Sequence, residues 1–336
     1  MLQSMWSDKG IVLNEVKPPE LEDGWVRLKV AACGICGSDL HRYNNKNSPL
    51  GRGSTPGHEL TGTVIDSKAK ERKLGDGLYA VEPWLACHAC DFCRIGKTEQ
   101  CRNARLVGVH VPGGLADFID VPDNKIHECD PSLSAVEGSI TEPFAVCTRA
   151  THLAELKRDS HVLILGGGSL GLISGLLARD VADRVAISVR YPHQEEAARK
   201  FGLEPVPEPD VIAFGKEFEP DVVIEQVGGH ANTLEQATAA ARPGGRIIVV
   251  GLFQENPIFD VSALVHKELT VRGSKVFGMS EHGPEFRASA RRLPRYKNEL
   301  KTLQTHQFPL SRVADAFSTA LDKSAKAIKI TIQPGA

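Results

Sequence analysis

His161-Val162-Leu163-Ile164-Leu165-Gly166-Gly167-Gly168-Ser169-Leu170-Gly171 is the stretch that decides the fold. Its first five residues are a short apolar run bounded by glycine, which reads as a strand buried on both faces. Gly166-x-Gly168-x-x-Gly171 follows at once, and apolar residues then recur with helical spacing to about Arg179. A strand that runs through glycines into a helix lets backbone N–H groups and the positive helix end hold a pyrophosphate with no side chain in between. A purely structural glycine turn is the competing reading, and the placement weighs against it. Working outward, a second strand covers Val185 to Val189 and a helix runs from about Gln194 to Phe201. A strand at Asp221 to Glu225, a helix at Asn232 to Ala241, the stop Pro243-Gly244-Gly245 and strands at Arg246 to Val250 and Leu269 to Gly273 complete the series. Strand–helix alternation of this kind predicts an α/β fold with a doubly wound parallel sheet.

The ribose side of the site is read from the end of the second strand. There an Asp or Glu ~20 residues past the glycines would accept from a 2′-hydroxyl and repel a 2′-phosphate. Here the strand ends Ser188-Val189-Arg190-Tyr191, with no acid and with a guanidinium suited to phosphate. NADP(H) is therefore preferred to NAD(H), against the alternative that Arg190 simply points into solvent.

The chain has 336 residues, more than one core of ~100–200 residues, so two domains are expected. From about residue 24 to 128 the texture is short β runs broken by Gly and Pro: Trp25 to Ala31, Leu60 to Ile65, Leu78 to Val81 and Phe118 to Val121. That is an irregular β-rich domain. The tail from about 280 carries an Arg-rich helix near Glu285 to Leu293, an amphipathic segment Val313 to Leu321 and a strand-like Ala327 to Ile332. Forty Lys plus Arg against forty-two Asp plus Glu give a net charge of −2, which offers no global field for nucleic acid. The run Arg291-Arg292-Leu293-Pro294-Arg295-Tyr296-Lys297 reads as a solvated helix face sooner than a phosphate patch. No apolar run reaches the ~20 residues that cross a bilayer, and the first residues lack a leader pattern, so a cytoplasmic protein is expected, with no membrane or nucleic-acid partner.

Eight cysteines in so long a chain point to metal before disulfides. Cys87, Cys90, Cys93 and Cys101 lie within fifteen residues. Four thiolates so spaced can close around one Zn²⁺, the structural kind of site, while an iron–sulfur cluster, a regulatory disulfide cluster or a zinc-finger interaction module are the alternatives. A second, dispersed set is Cys36-Gly37-Ser38-Asp39-Leu40-His41, then Gly57-His58-Glu59, then Glu142-Pro143. Thiolate, imidazole and carboxylate are all zinc ligands, and three of them with an exchangeable oxygen form a catalytic site. Taken singly they prove little: a lone His is usually a hydrogen-bonded core residue, and Glu142 could be a helix cap.

Cys33 to His41, Pro56-Gly57-His58-Glu59-Leu60-Thr61-Gly62, the four-cysteine lobe and the glycine motif come in the order seen in zinc-containing medium-chain alcohol dehydrogenases, which the chain resembles over nearly its whole length. Glu142-Pro143 is similar to the polyol and threonine dehydrogenase branch. The resemblance implies a GroES-like catalytic domain of about 1–152 and 280–336, enclosing a Rossmann cofactor domain of about 153–279. It implies a catalytic zinc on Cys36 and His58, with Glu59 as ligand or switching neighbour and Glu142 in a further position, directly or through water. Ser38 would hydrogen-bond the substrate oxygen, His41 would pass its proton outward, and Asp39 would orient the cluster. Gly166, Gly168, Ser169, Leu170 and Gly171 would hold the pyrophosphate, Ser188, Arg190 and Tyr191 the ribose, and Val227, Val250, Gly251 and Leu252 the nicotinamide, with Lys329 near the pyrophosphate. Departures are Gly75-Asp76-Gly77, Arg149 where many members have His, and Cys147, a rival ligand to Glu142.

The function so implied is reversible oxidation of a secondary alcohol, polyol or amino alcohol to a ketone. A zinc-independent enoyl or quinone reductase on the same fold and a non-enzymatic nucleotide sensor are the alternatives. Polar residues Tyr43 to Asn47 and the segment Pro83-Trp84-Leu85 would line the pocket and favour a hydroxylated substrate. A homodimer or homotetramer is expected, with the strand near Leu269 to Gly273 extending the sheet across a two-fold.

Overall fold

The computed structural model describes residues 1–8, 10–44, 53–70, 73–281 and 283–335. The chain divides into two compact units, Met1–Ala145 with Gly278–Ala336, and Val146–Phe277.

In the second unit six strands form one parallel sheet. Their spatial order is Glu204–Pro207, Arg184–Val189, His161–Leu165, Val222–Glu225, Arg246–Val249 and Thr270–Gly273. Val162 to Leu165 are wholly buried, as expected of a central strand covered on both faces. The order reverses between His161–Leu165 and Val222–Glu225. Beyond the ends of those two strands lies the crevice where a ligand is bound in such sheets. The helix Ser169–Arg179 starts directly at the glycine turn.

The strand Glu204–Pro207 has no counterpart in the sequence reading, because Pro205 and Pro207 look like a loop. It lies at the sheet edge, where a missing N–H costs no ladder bond. The helix Pro192–Lys200 begins two residues before the expected Gln194, since proline suits a first helical turn. The Gln194 side chain reaches back to accept from the N–H groups of Arg190 and Tyr191 at 2.9 and 3.3 Å.

The first unit is built on Trp25–Gly34. It lies within a seven-stranded sheet whose order is Gln304–Pro309, Lys329–Gln333, Trp25–Gly34, Glu59–Ser67, Leu78–Val81 and Ile126–Glu128, with Phe118–Pro122 alongside its first half. Gln304–Pro309 and Lys329–Gln333 run parallel, and the other pairs are antiparallel. Val26, Leu28, Val30 and Ala32 alternate into the core at 1% exposure or less, the period of two that a one-sided strand requires. Trp6, Tyr43 and Phe317 close one side of this core, with Trp6 edge-on to Phe317 at 5.4 Å and Tyr43 stacked on Phe317 at 5.2 Å. The N-terminal hairpin of Leu2–Ser7 and Gly10–Glu15 is a further element absent from the sequence reading.

Candidate functional site

Strand register assembles the dispersed cluster. Gly34 pairs with Glu59 on one side and with Thr331 on the other. Cys36 lies just past Gly34, ahead of the helix Gly37–Asn44, and His58 just before Glu59. One donor atom each of Cys36, His58 and Glu59 lies within 4.8 Å of the others. His58 and Glu59 are buried, and Nδ1 of His58 has no hydrogen-bond partner among the described residues. Leaving such a nitrogen unmet costs about 1–3 kcal/mol, which a metal ion bound there would relieve. Thiol, imidazole and carboxylate form a donor set that suits zinc. Burial, reinforced by the charge of Glu59, pushes the Cys36 thiol up to about 12. A divalent cation inverts that preference, because a coordinating thiol is deprotonated outright.

The glycine at 34 is required by what sits against it. A Cβ there would stand 2.3 Å from Oε2 of Glu59 and 2.9 Å from Cε of Lys329. The missing side chain leaves room for a buried ion pair between those two residues. Nζ of Lys329 also donates to the Ile35 carbonyl at 3.0 Å. Burial alone would lower the Lys329 pKa, but the carboxylate of Glu59 and the neighbouring Cys36 raise it. Asp39, equally buried, accepts from the Cys36 N–H at 3.1 Å and leaves Oδ1 without a partner among the described residues. Burial raises its pKa while His58 works to lower it. Ser38 hydrogen-bonds the Cys36 side chain, and His41 lies half-buried on the same short helix.

Glu142, in the first turn of the helix Thr141–Ala154, is not one of the three residues whose donor atoms converge. It belongs to the same electrostatic cluster. Burial pushes its carboxyl up to about 8, with His58 opposing and the charges of Glu59 and Cys36 adding to the rise.

The four-cysteine lobe is geometrically closed. Cys87, Cys90, Cys93 and Cys101 bring their sulfurs within 4.8 Å of one another, with 4.0 Å between Cys87 and Cys93 and 3.9 Å between Cys90 and Cys101. Tetrahedral Zn–S bonds of about 2.3 Å require S···S separations of about 3.8 Å, so the lobe fits zinc without rearrangement. Short elements make this possible: the turn of helix Asp91–Arg94 and the 3₁₀ turn Thr98–Gln100 fold the segment back on itself. Backbone N–H donors from Ala89 and Cys90 hold Cys87 down at about 6, while desolvation and hydrogen bonds with Cys101 and Cys90 push Cys93 up to about 12. Thiolates this close repel one another, a repulsion that a bound cation would remove.

The glycine turn is stereochemically demanded at two positions. Gly166 has φ +115° and a Cβ on it would meet Cγ2 of Val227 at 2.8 Å, while a Cβ on Gly171 would lie 1.7 Å from the Gly166 carbonyl oxygen. Around Gly168 there is open space within 4 Å of where its Cβ would be, room that an approaching pyrophosphate needs. Ser169 and Leu170 open the helix that follows. Ser188 is buried and its hydroxyl accepts from the Gly166 N–H at 3.0 Å, so it braces the turn from within. Arg190 stands at the expected strand end, largely exposed, with Nη2 3.6 Å from Glu208. Tyr191 stacks on His193 at 5.6 Å. Val227 is 39% exposed and Leu252 69%, on the turns after Val222–Glu225 and Arg246–Val249 together with Val250 and Gly251.

Several expected residues do other work. Lys329, expected near the pyrophosphate, is buried, with its ammonium paired to Glu59 and donating to the Ile35 carbonyl. Ser188 accepts from the Gly166 N–H and keeps its own hydroxyl hydrogen to donate. Cys147 is no rival ligand here, because it is buried with Sγ donating to the Leu170 carbonyl at 3.3 Å. Trp84, expected at a pocket wall, is 5% exposed and gives its indole N–H to Thr98 at 2.8 Å, which ties down the cysteine lobe. Tyr43 is engaged with Phe317, and Asn45, Lys46 and Asn47 lie outside the described residues. Cys33 and Cys129 are buried thiols, with burial pushing Cys33 well up and Cys129 to about 12. Glu225 went unassigned in the sequence, although a carboxylate closing the aliphatic run Val222 to Ile224 is an unusual strand end.

Residues 22–131 match the alcohol dehydrogenase GroES-like domain, and residues 169–292 match the zinc-binding dehydrogenase domain. An L-threonine 3-dehydrogenase of Saccharopolyspora erythraea is 31% identical, covering 93% of this chain and 92% of its own. A sorbitol dehydrogenase of Bacillus subtilis is 28% identical over 98% and 96%. Among solved structures, a zinc-binding dehydrogenase of Sinorhizobium meliloti 1021 bound to NADP superposes with a TM-score of 0.87 at 28% identity, covering 99% of this chain and 98% of that one. An Escherichia coli CFT073 alcohol dehydrogenase complexed with NADH does so with 0.88 at 25% identity, covering 99% of each.

Proposed function

The chain belongs to the zinc-type alcohol dehydrogenase family, and on that premise we propose that it oxidises a secondary alcohol of a polyol or amino alcohol to a ketone, reversibly, with NADP(H) preferred to NAD(H). The observation that carries this reading is the convergence of Cys36, His58 and Glu59, with an unmet buried nitrogen on His58. Cys36 and His58 would hold a catalytic zinc, with Glu59 or Glu142 as the carboxylate, and Cys87, Cys90, Cys93 and Cys101 would hold a structural one. When bound, zinc supplies the Lewis acid that makes an alcohol hydroxyl acidic near neutral pH, and the nicotinamide supplies the hydride acceptor, so the products are a ketone, the reduced cofactor and a proton.

The chain's own residues position and discharge. Asp39 fixes Cys36 through its N–H. Ser38 orients the substrate oxygen and receives its proton, which His41 passes outward. Lys329 holds Glu59 in place, so that carboxylate stays near the ligand set until a competing positive charge draws it away. Glu142 is a buried carboxyl in the electrostatic neighbourhood of His58, Glu59 and Cys36, and so the second carboxylate within reach of the ligand set. The glycine turn from Gly166 to Gly171 receives the pyrophosphate, and Arg190 releases Glu208 to take a 2′-phosphate. Val227 and Val250 to Leu252 wall the nicotinamide. The relatives that act on sorbitol and threonine support a hydroxylated substrate.

No helix among the described residues is long and apolar enough to cross a membrane. Eight free cysteines suit a reducing cytoplasm. The exposed edge strand Thr270–Gly273, beside Val261 at 61% and Val265 at 68% exposure, is the place we assign to a second copy of the chain.

The test is a purified, metal-analysed protein assayed with polyols and amino alcohols and both oxidised cofactors. About two zinc per chain and alcohol-dependent formation of reduced cofactor are expected. Absence of zinc, with hydride transfer to an activated double bond instead, would sink the reading.

A further inference from the structure

Glu225 is wholly buried at the end of the strand Val222–Glu225, yet its carboxylate serves nothing within the sheet. All of its side-chain donors converge on one oxygen. Oε1 accepts from the N–H groups of Val227 and Gly228 at 2.8 and 2.9 Å and from the Thr233 hydroxyl at 2.7 Å. Oε2 is buried with no donor among the described residues and faces Gly251, where a Cβ would lie 2.4 Å from it. The main-chain carbonyl of the same residue accepts from Val250 and Gly251 at 2.8 and 3.2 Å. One residue therefore fastens two turns, that after its own strand and that after Arg246–Val249.

The two turns are in close contact. Gly229 donates to the Leu252 carbonyl at 2.8 Å and Gln254 to the Gly229 carbonyl at 3.1 Å. A Cβ on Gly228 would stand 2.6 Å from both N and O of Leu252. No side chain fits between them, so their separation is set by the groups that hold them. Burying a carboxylate is costly unless its hydrogen bonds repay it. Here the bonds repay it at its own turn, which carries Val227, and at Thr233, while Oε2 packs against Gly251 in the turn that carries Val250 to Leu252.

We propose that Glu225 is a positioning residue for the nicotinamide half of the cofactor, fixing the spacing of the two turns that wall that ring. This rests on the cofactor reading above and deepens it. The pyrophosphate and adenosine ends depend on a different segment, Gly166 to Gly171 and Arg190. Loss of the anchor must therefore weaken the whole dinucleotide while sparing its adenosine half. A general collapse of the unit would weaken both.

The experiment titrates reduced dinucleotide by fluorescence and ADP-ribose, with and without its 2′-phosphate, by calorimetry. The proteins compared are wild type, Glu225→Ala, Glu225→Gln and Thr233→Val. For Glu225→Ala we expect dinucleotide affinity to fall about tenfold with ADP-ribose affinity within twofold. Glu225→Gln keeps an acceptor oxygen and should return to within threefold of wild type. Thr233→Val, which deletes one donor, should lose about threefold for the dinucleotide alone, and it decides the matter if Glu225→Ala does not fold. Equal weakening of both ligands, no weakening of either, or a glutamine variant as weak as alanine overturns the proposal. A wild-type chain that binds neither ligand overturns the cofactor reading itself, and this proposal with it.

Discussion

The two metal-competent clusters of the first unit reach similar compactness by opposite routes. Cys87, Cys90, Cys93 and Cys101 come from fifteen consecutive residues, and two short turns bring them together. Cys36, His58 and Glu59 are joined by strand pairing, with Gly34 opposite Glu59, and the partner of Glu59 arrives from residue 329. The lobe is half-exposed and chemically uniform, and its sulfurs already stand at the separations a tetrahedral ion demands. The dispersed cluster is buried at His58 and Glu59, mixed in ligand type and crowded with charge that burial opposes. A closed set of like ligands holds its ion and does nothing else. A buried set with fewer ligands and neighbouring carboxyls can leave a coordination position for chemistry.

Breaking the two clusters separately should give opposite phenotypes. Cys36→Ala is expected to lower kcat/KM at least 10³-fold, about 4 kcal/mol of transition-state stabilisation, and to reduce zinc from two to one per chain with little change in melting temperature. Metal analysis beside steady-state kinetics checks this, and retained activity with one zinc lost would reverse the assignment. The ion pair next to the cluster ranks second. Lys329→Met leaves Glu59 charged and buried, a cost of about 3–5 kcal/mol, and the double variant Glu59→Gln with Lys329→Met should recover much of it in denaturant unfolding. Equal losses in the single and double variants would show that Lys329 acts through packing alone.

Cys93→Ser should likewise remove one zinc but lower kcat less than tenfold, with amide exchange rising across residues 87–101 and not at Cys36. Arg190→Ala tests the cofactor assignment outside both clusters. Its kcat/KM for NADP⁺ should fall about tenfold while that for NAD⁺ stays within twofold.

The smallest effect is a pH control. Burial alone would raise the pKa of Glu82, but hydrogen bonds and charge from His127 and Lys125 lower it. A carboxylate depressed in the folded state contributes stability above its unfolded pKa, ~4.3, and loses it as pH falls through the folded value. Glu82→Gln should thus cost about 1 kcal/mol at pH 7, with the difference fading below about pH 4 in thermal melts. A constant difference across that range would assign the effect to shape.

The clarity of each feature in the sequence follows the distance over which it is encoded. The strand at His161 to Leu165, the glycine turn and the helix ending at Arg179 are visible because buried strands and helix starts are written in consecutive residues. The cysteine lobe is visible for the same reason. Glu204–Pro207 is not, since its prolines are tolerable only at an edge, and edges are defined by neighbours. Trp84 and Tyr43 read as pocket residues because an aromatic in a polar stretch looks available, whereas their partners Thr98 and Phe317 are supplied by other segments.

The residues themselves determined the chemical inventory: a glycine turn of the phosphate-binding pattern, four thiols at metal spacing, a second set of dispersed metal-competent side chains, and a guanidinium where an acid would select NAD. These are local properties of composition and spacing. Tertiary structure alone decided that Gly34 makes room for Glu59 and Lys329, that Ser188 braces the glycine turn, and that Glu225 fastens one turn with its carboxylate and a second with its main-chain carbonyl. Each of those depends on register between strands far apart in the chain, and on burial, which turns an ordinary carboxyl or amine into one that must find a partner.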